Sequence, residues 1–301
     1  MRVTVTGATG LIGRRLVAAL RGRGDEVTVL SRTPERAGAR LGVDAVAWDP
    51  LGGPAPAGAL AGRDAVVHLA GEPVAQRWSA EAKERIRSSR ERGTASLVAG
   101  LRAAEPAPRV LVSASAVGYY GPRGDEELDE SAPPGDDFLA RVCVAWEREA
   151  QAAAGLGIRV AIVRTGVVLD AGGGALAKML PPFRAGVGGP VAGGRQWMPW
   201  IHVDDLVGLY LAALDGGAGW SGPLNGSAPA PATNAELSRA LGRALHRPAV
   251  LPVPALALRL LYGEMAQIVT TGQRAVPSRL LALGYAYRHP ELEPALRAAL
   301  G

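Results

Sequence analysis

The stretch TGATGLIG, Thr6–Gly13, decides how the chain is read, because of what stands on each side of it. Before it runs the apolar strand pattern Arg2–Thr6, and after it a helix is predicted. A glycine spacing between a strand and a helix is the context of a dinucleotide fingerprint. Gly7 permits the tight turn, Gly10 lets the backbone approach a pyrophosphate, and Gly13 lets the helix pack closely on the strand. Thr9, Leu11 and Ile12 complete the loop. A pyrophosphate held there meets the helix N-terminus, where unpaired N–H groups favour an anion.

Strand-like runs continue outward at 26–30, 43–47, 64–69, 109–113 and 159–164, alternating with helical patterns. DAVVHLAG and RVLVSAS are near-continuous apolar runs, as central strands covered on both faces require. The expected fold is α/β, a Rossmann-type doubly wound parallel sheet with a smaller C-terminal substrate-side lobe. We expect a nucleotide-binding unit over 1–170 and the lobe over 171–301. Within the lobe, the segment around 197–215 should return to the sheet, and 249–301 should form an accessory segment. Helices are predicted at 204–214, 234–245, 254–262 and 291–300, with Thr233 or Asn234 as a cap.

Composition narrows the function. No run of about twenty apolar residues appears, so no membrane span is expected. The start enters a strand pattern without a secretory leader, and one cysteine, Cys143, excludes an internal disulfide framework, so a cytoplasmic location is expected. The four histidines show no metal-ligand spacing, and no metal is expected. A net charge of +5 could suggest nucleic acid, but the arginines are dispersed rather than gathered on one element, so no nucleic-acid partner is expected.

The second strand ends EVTVLSR. Ser31 and Arg32 stand where an NAD-preferring protein usually places a carboxylate for the ribose. A hydroxyl and a guanidinium fork suit a ribose phosphate, so NADP(H) is the expected cofactor.

TGATGLIG, DAVVHLAGEP, VSASAVGYYG and WIHVDDL together resemble the extended short-chain dehydrogenase/reductase superfamily, which contains the nucleotide-sugar epimerases. HLAGEPV, CVAWE, RTGVVL, the block KMLPPFRAGVGGPVAGGRQWMPWIHVDDL and GQRAVPSRLLALGY are similar to a subgroup of NAD-dependent epimerase/dehydratase-like proteins, sometimes labelled cell-division inhibitor relatives. The resemblance implies cofactor contacts from Leu69, Ala70 and Gly71, from Asp49 near the adenine, and from Arg90, Ser113, Cys143, Thr165 and Gly166. Glu72 and Arg77 follow the same crevice, where a surface ion pair is the competing role; Asp49 could equally form a turn.

The resemblance also places Ser115 at the catalytic serine. A tyrosine and a lysine should follow, four apart on one helix face. Counting back from Glu147 in FLARVCVAWE, Phe138–Glu147, those positions hold Leu139 and Cys143, and no Tyr-x-x-x-Lys occurs anywhere in the chain. Tyr119 and Tyr120 are the candidate substitutes, with pocket-wall packing as the rival role. Two readings remain open: an oxidoreductase or epimerase acting on a small carbonyl or hydroxyl substrate, and a non-catalytic NADP(H) sensor or scaffold. Lys178, Arg184, Arg195, Trp197 and His202 are the substrate-side candidates, with Met179, Leu180, Phe183 and Trp200 as apolar walls and Asp204 or Asp205 as a helix cap. Folds of this type often form homodimers, which is allowed for here.

Overall fold

In the computed structural model, which describes residues 1–301, the main sheet holds seven strands. They are β1 (Arg2–Thr6), β2 (Glu26–Ser31), β3 (Asp44–Ala47), β4 (Ala65–His68), β5 (Val110–Ala116), β6 (Arg159–Thr165) and β7 (Gly222–Gly226). Their order is β7-β6-β5-β4-β1-β2-β3, with every pair parallel. The central strands are apolar on both faces because helices cover both, as the unbroken runs require. On one face, α1 (Leu11–Gly22) and α6 (Val203–Asp215) pack Leu16, Leu20, Leu209 and Tyr210 against Val3, Val67 and Val112, and α2 (Pro34–Leu41) adds Ala37 to the same core. On the other, α3 (Ala80–Arg102) contributes Leu97 and Leu101 against Val66 and Leu111, and α4 (Phe138–Gln151) packs on α3.

Residues beyond 170 serve both units. The expected return to the sheet is made by β7 at 222–226, whereas Trp200–His202 pairs with Val167–Leu169 in a separate two-stranded sheet. The lobe has its own core, in which α5 (Gly174–Arg184) and α7 (Asn234–Leu245) enclose Trp200, Phe183, Leu180 and Leu237. Thr233 is the α7 cap, in a reciprocal box with Glu236. α8 (Ala255–Tyr262) follows and buries none of its residues.

Asp204 and Asp205 do not cap α6. His202 does, its Nδ1 accepting the Asp204 N–H at 3.1 Å. Asp205, 1% exposed, instead accepts the N–H groups of Arg288 (2.6 Å) and His289 (3.0 Å), tying the C-terminal segment to this helix.

Candidate functional site

The strand order turns at β1, with β2 on one side and β4 on the other. In doubly wound sheets the crevice beyond the carboxyl ends at such a point binds the ligand. A cavity of about 590 Å³ opens there. Its walls are the loop Gly7–Gly10, the β2 end with Ser31 and Arg32, then Trp48 and Pro50, and the β4 end with Leu69, Ala70 and Gly71. Gly7 has φ +67°, and a Cβ there would come within 2.6 Å of the Leu69 carbonyl carbon. A Cβ on Gly13 would meet the Ala8 Cα at 2.6 Å, so loop, strand and helix close only because both positions carry hydrogen. Gly10 starts α1 without a side-chain cap, leaving the first-turn N–H groups free for an anion. Thr9 lines the cavity, while Leu11 packs toward Gly173 and Ile12 toward the core.

Arg32 is exposed and lines the cavity; Ser31 accepts the Thr33 N–H at 3.1 Å and keeps its own hydroxyl proton to donate. No carboxylate lines this end. Asp49, expected beside the adenine, is exposed and accepts the Leu51 N–H at 3.1 Å, so it is a turn residue; its neighbours Trp48 and Pro50 form the wall. Sequence reasoning missed Trp48, whose apolar body flanked by Pro50 was the available signal.

Behind the β4 end, His68 is fully buried between Thr6 Oγ1 (2.7 Å) and Thr94 Oγ1 (3.0 Å). Burial, with the nearby Arg90 charge, pushes its pKa down to about 4. The unfolded chain takes up this proton near the ordinary 6.5 while the folded chain resists it until about 4. Stability should therefore be undiminished above the unfolded value and fall by on the order of 3 kcal/mol as the pH drops through that window. Unfolding free energies measured from pH 7 to 4 should show this slope, and His68→Gln should flatten it; an unchanged slope in the variant would refute the assignment.

Arg90 reaches over the same edge. It donates to the Glu72 carbonyl (2.9 Å) and the Ile86 carbonyl (3.2 Å), lies beside Gly71, and stacks 4.9 Å from the Trp146 ring. Desolvation lowers its pKa, and its hydrogen bonds go only to neutral carbonyls; it does not line the cavity itself. The Glu72 carboxylate instead accepts from Gln76 and faces Arg85 at 3.7 Å, a surface arrangement. Arg77 turns to the lobe, donating to the carbonyls of Leu260 and Leu261.

Ser115 lies within β5, in register with Arg164 on β6. Its hydroxyl donates to Glu147 Oε1 at 2.6 Å, and Arg164 grips the same carboxylate through Nε (2.9 Å) and Nη2 (2.8 Å). The pair is 4% and 11% exposed. Burial works against the Arg164 charge, but the hydrogen bonds and attraction of Glu147 override it and hold the pKa above the ordinary value. Arg164 Nη1 extends the network to Tyr120 Oη at 3.0 Å, which donates to Asn225 Oδ1 at 2.7 Å. Tyr120 is thereby corrected from acid/base candidate to core residue: it is fully buried, and burial pushes its pKa up to about 12. Tyr119 is half-buried, with its ring 3.5 Å under the Arg164 guanidinium and its hydroxyl outside the network. Glu147 marked the helix register in the sequence; that it holds Ser115 could not be read without the β5–β6 register.

Cys143 is buried against Ser115, and burial with the Glu147 charge pushes its thiol up to about 12, so it packs rather than reacts. Leu139 packs against Gly118. Ser113 is fully buried and donates to the Ala114 carbonyl, away from any opening. The Thr165 hydroxyl donates to the Val163 carbonyl, and Gly166 lies so close to the Pro199 carbonyl that no Cβ fits.

The lobe candidates disperse. Lys178 donates to the Ala75 carbonyl (3.2 Å), joining the lobe to the loop after β4; Arg184 and Arg195 are exposed. Trp197 donates to Asp125 (2.7 Å) and stacks under Arg274. His202 turns to the α6 cap and to His289, 3.9 Å between ring centres, and not to the loop tryptophans; with Asp204 these histidines converge within 4.8 Å, which no sequence spacing announced. Leu180, Phe183 and Trp200 build the lobe core instead of a pocket wall.

A glycine-cradled helix start at the switch point of a parallel sheet, with a serine at the end of β5 and a C-terminal lobe alongside, defines a Rossmann-type nucleotide-binding protein of the short-chain dehydrogenase/reductase kind. The chain belongs to the NAD dependent epimerase/dehydratase family, whose model matches residues 3–222; a second model, a domain of unknown function (DUF1731), matches 253–299. It is 42% identical over its full length to the whole of the epimerase family protein SDR39U1 of Bos taurus, and 44% identical to a chloroplastic SDR39U1 homolog of Arabidopsis thaliana, of which it covers 87%. The crystal structure of human SDR39U1 (isoform 2) with NADPH superposes over all of both chains, with a TM-score of 0.89 and 39% identity. No helix is long and apolar enough to cross a membrane.

Proposed function

We propose that this chain is an NADP(H)-binding oxidoreductase or epimerase acting on a small carbonyl or hydroxyl substrate. The observation that carries it is the cavity at the β1–β4 switch point, lined by Arg32 and Ser31 and by no carboxylate. The glycine cradle fits a dinucleotide, because a Cβ at Gly7 or Gly13 would fill it. The human relative holding NADPH supports the same cofactor. Gly7, Gly10 and the first turn of α1 would hold the pyrophosphate, Arg32 and Ser31 the ribose phosphate, and Trp48 and Pro50 the adenine side. NADPH, when bound, supplies hydride to a carbonyl carbon.

The chain's own part is to place the substrate oxygen and deliver a proton. The Ser115 hydroxyl donates its hydrogen bond to Glu147, so its lone pairs are left to accept from the substrate in its hydroxyl form, the product of reduction or the substrate of the reverse oxidation. Tyr119 carries the phenol outside the buried network and is assigned the proton transfer. A panel of carbonyl compounds assayed by NADPH oxidation should reveal turnover. Ser115→Ala and Tyr119→Phe should each lower kcat/KM by about 100-fold with NADPH affinity unchanged, while Tyr120→Phe should cost stability rather than rate.

One observation favours a second reading. The two helix positions of the usual acid and base hold Leu139 and Cys143, a thiol protonated at any physiological pH. A non-catalytic NADP(H) sensor would keep this wall and need no proton donor. Tight NADPH binding with no turnover across the panel would select it.

A further inference from the structure

We infer, on the basis of the proposed NADP(H) site, that Arg90 of α3 grips the ribose of the cofactor's nicotinamide half, beside the helix position where α4 presents an uncharged cysteine. Taking a guanidinium out of water is costly unless a carboxylate or a full set of acceptors receives it. Arg90 has neither. It is partly buried and forms no salt bridge, and the carboxylate of its neighbour Glu72 turns to Gln76 and Arg85. Only Nη1 is engaged, on the Glu72 and Ile86 carbonyls. Nε and Nη2 have no partner in the chain, yet neither atom is sealed from solvent. One edge of the planar fork is therefore left to a ligand, with one N–H on Nε and two on Nη2.

Two neighbours fix where that edge stands. A Cβ added to Gly71 would lie 3.1 Å from the Arg90 Cζ and 3.2 Å from Nη2, and Gly71 lines the switch-point cavity. The guanidinium lies just past the wall that the adenosine half would use. On its other side it stacks 4.9 Å from the Trp146 ring, and Trp146 follows Cys143 by one turn on the same face of α4. Cys143 in turn is buried against Ser115.

A dinucleotide whose pyrophosphate sits at the start of α1 and whose reacting carbon faces Ser115 has its second ribose between the two. The adjacent hydroxyl oxygens of that ribose accept from Nε and Nη2 side by side, a geometry that a flexible ammonium does not offer. Cys143 carries no charge for this task, and α3 brings one to the same place.

Isothermal titration of the full chain with three ligands tests the assignment. They are NADPH; 2′-phospho-ADP-ribose, which keeps the second ribose without the nicotinamide; and adenosine 2′-phosphate 5′-diphosphate, which keeps both 5′-phosphates without that ribose. Arg90→Gln should weaken the first two at least about tenfold and leave the third within about twofold. Arg90→Lys, which keeps the charge and loses the fork, should fall between wild type and Arg90→Gln for the first two and spare the third. Equal weakening of all three overturns the assignment, because the arginine would then be propping the β4 edge or touching the diphosphate. Unchanged NADPH affinity in Arg90→Gln overturns it as well and leaves the cofactor reading standing. A wild type that binds none of the three removes the cofactor reading and this assignment together.

Discussion

Arg164→Ala should lower the unfolding free energy by about 3–5 kcal/mol, since removing one partner of a buried ion pair leaves the other charge uncompensated. The residue left behind is Glu147, 11% exposed and still bound to the Ser115 hydroxyl. Three further links would be lost: the Nη1 bonds to Tyr120 and to the Glu130 carbonyl, and the guanidinium stacked on Tyr119. Thermal unfolding should show a fall of roughly 5–8 °C at this chain length. The double variant Glu147→Leu/Arg164→Met should lose less than the single one, because it removes both charges and keeps the volume. Equal losses, or a single-variant loss below about 1 kcal/mol, would mean that the pair is solvated and does not organise the site.

Arg32→Asp should weaken NADPH binding by at least about 100-fold, close to 3 kcal/mol, and leave NADH binding equal or improved. The guanidinium stands free at the cavity edge, so its charge-assisted bonds to a ribose phosphate are not offset by a lost internal partner. An aspartate there repels that phosphate and accepts instead from the ribose hydroxyls, the arrangement of NAD-preferring sites. Arg32→Ala should fall between the two. If isothermal titration gives the same NADPH affinity for wild type and Arg32→Asp, the phosphate lies elsewhere.

The nucleotide half of the site was legible because its chemistry is local. TGATGLIG carries strand end, turn and helix start within eight residues, and each glycine answers to a contact at short range. The sheet strands were legible for the same reason, as continuous apolar runs. The Ser115–Glu147–Arg164 network was not, because its members lie on β5, α4 and β6 and meet only through the register that sets Ser115 beside Arg164. Tyr120 misled for a related cause: in GYYG the two phenols look equivalent, and only the fold sends one to Asn225 and leaves the other at the surface of the network. His202 and the loop aromatics misled because a Gly- and Pro-rich segment does not announce which of its residues form a core of their own.

Every role proposed for the site depends on the crevice at the end of β1 taking a phosphorylated dinucleotide. Titrating NADPH and NADH in parallel against the wild-type chain tests it without any variant or substrate. NADPH should bind at least about tenfold more tightly, a difference of 1.4 kcal/mol or more. Equal dissociation constants for the two cofactors, or no binding of either, would contradict it.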